Sequence, residues 1–63
     1  MVLNQHYITF PDSRSFYKNL ILVKMLLGSA VSCGGTRWEL DANLFRIYFE
    51  SEEDLVYFKM RFL

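Results

Sequence analysis

Cysteine occurs once in this chain, at Cys33, so no internal disulfide can brace it. Histidine also occurs once, at His6, and one Cys with one His cannot assemble the four-ligand site of a structural zinc. No charge of either sign is in excess, with seven Lys and Arg against seven Asp and Glu. Nucleic-acid binding draws most of its non-specific affinity from phosphate neutralisation, and a neutral chain is poorly equipped for that. Long hydrophobic runs are missing too. The most apolar stretch, Leu20 to Leu27, contains Lys24 and is far shorter than the roughly 20 residues needed to cross a bilayer, so no membrane association is expected. Met1 to His6 has no basic start and no apolar run behind it, which argues against an export signal. With a free thiol, that favours a reducing, cytoplasmic setting.

What the chain does have is apolar surface: 52% of its 63 residues are hydrophobic and 17% aromatic. A domain of this length buries only about 60% of its unfolded surface, so residues 1–63 are expected to form a single domain. Without disulfide or metal, its remaining supports are a rich core or a partner subunit.

Gln5–Phe10 reads as a first strand, with His6, Ile8 and Phe10 alternating against Gln5, Tyr7 and Thr9 until Pro11 ends it. Asp12 or Ser13 then caps a helix over about residues 14–27 that stops at Gly28. Phe16, Leu20, Val23 and Leu27 recur at helical spacing and should face a sheet. Ile21, Leu22, Met25 and Leu26 are apolar as well and point elsewhere. Residues 29–35 form a connector of small residues. Thr36–Leu40 alternates again, Asp41-Ala42-Asn43 turns the chain, and Leu44–Phe49 returns as a third strand. Trp38 and Leu40 should share a face with Phe45, Ile47 and Phe49. Arg37, Glu39, Arg46 and Tyr48 then share the other, with Glu39 and Arg46 placed to pair across strands. Ser51 is a natural N-cap for the last helix, Glu52 and Glu53 suit its first turn, and Asp54 holds the capping-box position. Leu55, Phe58 and Phe62 make its core stripe. Val56, Met60 and Leu63 make a second stripe that one chain cannot obviously bury.

The expected fold is therefore α+β: strand–helix–strand–strand–helix, a three-stranded sheet with both helices on one face. The first strand should lie beside the third and parallel to it, with the second strand at the far edge. This order resembles a truncated ferredoxin-like fold whose missing fourth strand would leave the first as an open edge.

Chemistry-bearing patterns are sparse. Gly34-Gly35 lacks the Lys-Ser/Thr of a phosphate-binding loop and opens no helix, so a turn is the better reading. Glu50, Glu52, Glu53 and Asp54 are the acids a helix start attracts, whether or not they also mimic nucleic-acid phosphates. His6 has no Ser, Cys or Asp placed by sequence to work with it, and Cys33 reads as a connector residue. No catalytic, metal or cofactor site is expected, and the chain reads as non-enzymatic.

Two resemblances attach to the C-terminal third. Ile47-Tyr48-Phe49-Glu50-Ser51-Glu52-Glu53-Asp54, within residues 44–55, resembles the third strand and helix start of the RNA-recognition motif. Leu44 and Arg46 occupy that motif's stacking positions, however, and Phe45 its glycine position. The resemblance implies a nucleic-acid face of Tyr7, Arg37, Arg46 and Tyr48. The longer run from Phe49 to Phe62, ending Phe58-Lys59-Met60-Arg61-Phe62, is similar to small uncharacterised proteins of tailed bacteriophages. It implies a compact phage-encoded accessory protein that acts by binding in the host cytoplasm. The expected function is protein binding or assembly, on itself as a homo-oligomer or on a larger partner. The interface expected for it is Tyr7, Ile21, Leu22, Met25, Leu26, Val56, Met60 and Leu63.

Overall fold

A computed structural model of the chain describes residues 6–63. The elements are β1 (Tyr7–Thr9), α1 (Ser13–Leu27), β2 (Trp38–Asp41), β3 (Arg46–Phe49) and α2 (Glu52–Phe62), with a short 3-10 turn at Val31–Cys33. The class is α+β, with three strands and two helices. Strand order is β1-β3-β2, so the neighbours are those the pattern of elements implies. The direction of β1 is not. It runs antiparallel to β3, as β2 does, in the registers Ile8↔Ile47 and Leu40↔Ile47. The crossover through α1 joins β1 to β2, which are parallel to each other with β3 inserted between them. The right-handed crossover rule governs that pair rather than β1 and β3.

The strands are shorter than alternation suggests, because alternation continues into residues whose backbone has left the ladder. Gln5, placed in the first strand by pattern, lies outside the described residues. Phe45 is the clearest case. It packs against the core but has a φ of 52°, in the left-handed region that L-residues adopt at a cost. Two contacts hold it there: its carbonyl accepts from the Phe10 N–H at 2.8 Å, and its ring lies 5.7 Å from that of Phe16. The turn before it is locked by Asp41, whose carboxylate accepts from the N–H groups of Asn43 and Leu44.

Both helices begin where the caps dictate. The Asp12 carboxylate accepts from the Ser15 N–H, and the Ser51 hydroxyl from the Asp54 N–H. Helix α1 ends at Gly28, whose φ of 84° needs no Cβ and lets its N–H reach the Lys24 carbonyl. Phe16, Val23 and Leu27 from α1 and Phe58 from α2 meet Trp38, Ile47 and Phe49 on one face of the sheet in a single core, so both helices cover that face. Phe16, Ile47, Phe49 and Phe58 are fully buried. The Phe49 and Phe58 rings lie 5.7 Å apart in a tilted pair, and Phe62 extends the stack. Buried Asn19 is accommodated on α1 by donating to the Ser15 carbonyl at 2.8 Å.

Trp38 anchors β2 to the end of α1, its indole N–H donating to the Gly28 carbonyl at 2.8 Å. The connector folds as tightly as its small residues allow. A Cβ on Gly35 would fall 1.7 Å from the Ser29 carbonyl oxygen, so only glycine fits there.

Truncating Phe58 to Ala should therefore cost about 3–5 kcal/mol, most of the stability of so small a domain. Trp38→Phe, which loses the indole bond and leaves a smaller ring in the core, should cost about 2–4 kcal/mol. Chemical denaturation with fluorescence and circular dichroism reads both. A Phe58→Ala protein with an unchanged midpoint would place α2 on the wrong face.

Candidate interaction surfaces

Three surfaces are left after the core is filled. The first is the outer side of the helix layer. On α1, Ile21 and Met25 are exposed at 63% and 77%. Leu22 and Leu26 are partly buried and pack against the core, so the uncovered part of this helix is narrower than its composition implies. On α2 and at its C-cap, Val56, Met60 and Leu63 are exposed, Met60 at 81%, and Tyr57 joins them. The apolar faces differ in their charged flanks. Arg14 and Lys18 lie toward the start of α1, whereas Glu52 and Glu53 open α2. Glu52, Glu53, Val56, Tyr57 and Met60 line a shallow groove there.

The second surface is the sheet face away from the helices. Tyr7 and Tyr48 are register partners with ring centroids 5.5 Å apart, and the Arg46 guanidinium lies 4.5 Å above the Tyr7 ring. Arg46 also donates to the Thr9 hydroxyl and, at 3.4 Å, to the Tyr48 hydroxyl. Those contacts raise its pKa: the Tyr48 hydrogen bond leads, desolvation opposes it, and the charge interaction with Tyr48 adds to the rise. Tyr48 is only 7% exposed, so it is not the open stacking platform that alternation suggests. Alternation reports which face a side chain takes, not what its neighbours lay over it. Arg37 leaves this face altogether. Its guanidinium forms a two-pronged bond with the Asp54 carboxylate at 2.6 and 3.1 Å, and that hydrogen bonding, with the Asp54 charge, raises its pKa. Asp54 thus keeps its place in the first turn of α2 but spends its carboxylate on Arg37 rather than on the capping box. The four residues of the expected nucleic-acid face do not form one open patch.

The third surface is the pair of sheet edges. The Glu50 backbone N–H donates to the Arg37 carbonyl, which fixes the alternation of β2 and turns the backbone groups of Trp38 and Leu40 outward. That edge is guarded. The Glu39 carboxylate accepts from the Leu40 N–H at 2.9 Å and from the Ser32 N–H at 2.9 Å, and the Ser32 hydroxyl adds a third bond at 3.2 Å. A charged side chain and a 3-10 turn therefore block the approach of another strand. The pairing of Glu39 with Arg46 does not form. Their registers oppose Tyr48 and Asp41 instead, and each finds a nearer partner. Strand β1 forms the other edge, and among the described residues no strand lies outside it.

Other features carry less. The N–H groups of Gly34 and Gly35 turn inward to the carbonyls of Val31 and Ala30, which leaves them unable to cradle a phosphate. Cys33 is an exposed free thiol that lines, with Leu20, Trp38 and Leu40, a cleft of about 250 Å³. Among the described residues no group of three His, Cys, Asp or Glu could hold a metal ion, and no helix is long and apolar enough to cross a membrane. His6 contributes its carbonyl to the ladder, accepting from the Phe49 N–H. No family model matches this sequence, and neither the curated proteins nor the solved structures include a match to it.

Replacing Glu39 by Ala should speed amide exchange at Leu40 and Ser32 and raise the tendency to aggregate. Glu39→Gln, which keeps an acceptor, should do so less. Unchanged exchange at both amides in Glu39→Ala would show that the carboxylate does not guard this edge.

Proposed function

We propose that this chain is a non-enzymatic binding or assembly protein that docks its apolar helix faces or its open sheet edge on a second copy or a larger protein. The observation that carries the reading is the exposed apolar set on the outer helix layer: Ile21 and Met25 on α1, with Val56 and Met60 on α2 and Leu63 at its C-cap. So many large apolar side chains are seldom left uncovered on a protein this small that acts alone. Covering about 400 Å² of such surface is worth on the order of 10 kcal/mol at about 25 cal/mol/Å², before the costs of association. Strand order and helix placement suit a ferredoxin-like sheet lacking its fourth strand, and such a sheet presents a first strand ready for an added neighbour. The similarity of its C-terminal run to phage accessory proteins suits the same role: an inhibitor of a host factor or a component of virion assembly, working in the cytoplasm.

A nucleic-acid-binding role rests on Tyr7 and Arg46 alone. Zero net charge and the covered ring of Tyr48 weigh against it.

Sedimentation of the purified chain from micromolar to hundreds of micromolar tests the proposal. Self-association should appear, and Ile21→Lys with Met60→Lys should weaken association through the helix layer without unfolding the chain. A stable, soluble 7.5 kDa monomer across that range would overturn the reading. Binding of single-stranded RNA that falls steeply with salt and is lost in Arg46→Ala would replace it with the nucleic-acid role.

A further inference from the structure

The two edges of the sheet are not treated alike, and the difference identifies one of them as an interface. On either side of β1 the His6 carbonyl accepts from the Phe49 N–H and the Phe10 N–H donates to the Phe45 carbonyl, and between them Ile8 is the register partner of Ile47. Alternation in an antiparallel ladder then turns the N–H and C=O groups of Tyr7 and Thr9 away from the sheet. Natural edges are commonly guarded by a charge, a proline, a bulge or a covering segment. On β2 the Glu39 carboxylate and the 3-10 turn provide this guard. Tyr7-Ile8-Thr9 carries no charge and no proline, and all three residue types favour strands.

We infer that β1 pairs antiparallel with β1 of a second copy of this chain about a two-fold axis at Ile8, joining the two sheets into one of six strands. The inference rests on the docking reading above and names its partner and register. The outward groups explain the choice of a second copy. Tyr7 and Thr9 stand symmetrically on either side of Ile8, so a two-fold axis there sets Tyr7 opposite Thr9 of the other copy, and the reverse. Each such pair exchanges both of its hydrogen bonds, and no outward group of the two strands is left over. A shift by one residue in either direction breaks that match. The strand brings no like charges into direct opposition, so an identical strand is not repelled. The Thr9 hydroxyl already accepts from Arg46 and the Tyr7 ring lies under the same guanidinium, which hold the edge strand in its paired conformation before contact.

The native protein supplies the first test. Raising its concentration through the range of self-association should slow amide exchange at Tyr7 and Thr9, the outward pair on β1, by at least tenfold. Trp38, outward on the guarded edge, should not change. The second test reads register, in a Cys33→Ser background. Chains carrying Tyr7→Cys mixed with chains carrying Thr9→Cys should form a disulfide at least ten times faster than either alone. Opposed residues lie about 5.5 Å apart between Cα atoms, whereas a residue and its own copy lie about 8 Å apart, beyond disulfide reach. Pairing through β1 brings the Arg46 guanidinium of each copy to the same face of the seam, so added salt should not weaken it, unlike docking of the Arg14 and Lys18 flank on the Glu52 and Glu53 flank. A protein that self-associates with no slowing at Tyr7 and Thr9 and no preference for mixed crosslinks would overturn this pairing and leave the docking reading standing. A monomer at every concentration would overturn both.

Discussion

The structure depends on one contact layer: aromatic rings from two helices meeting a single sheet face. Phe49 closes β3 and Phe58 sits on the second turn of α2, with only a capped turn between the two elements. Ser51 fixes where the helix starts, and that start fixes which residues point at the sheet. Phe16 and Val23 reach the same layer from α1, so every element is tied to Ile47 and Phe49 at the centre. A core this small has no redundancy. Its rings cover large areas while losing few rotamers, which is how a chain without an internal disulfide keeps one face dry.

The same economy explains the surface. Two helices and three strands make two layers, and nothing in the described residues forms a third. Among the described residues the outer helix side is left facing water with apolar residues, and the β1 edge with backbone groups that no other strand pairs. Glu39 guards the β2 edge, and among the described residues no charged side chain or covering segment is bonded to the outward backbone of β1. The polar cluster of Arg46, Thr9, Tyr7 and Tyr48 acts within this frame as a brace between β1 and β3 on the face that the helices do not cover.

Sequence alone determined the parts governed by local rules. The caps at Asp12 and Ser51, the stop at Gly28, the core stripes Phe16–Val23–Leu27 and Leu55–Phe58–Phe62, the order of elements and the exposed residues Ile21, Met25, Val56, Met60 and Leu63 all follow from period and capping chemistry. Only the tertiary structure decided the rest, because it depends on neighbours distant in the chain. The direction of β1 against β3 is a property of the whole crossover, and the guard of the β2 edge needs Ser32 and Glu39 brought together. Arg37 is drawn from the sheet to Asp54 by a bond spanning seventeen residues, and the ring of Tyr48 is covered by groups from another strand. Periodicity assigns a side chain to a face; what meets it there is settled by packing between elements, which no local pattern encodes.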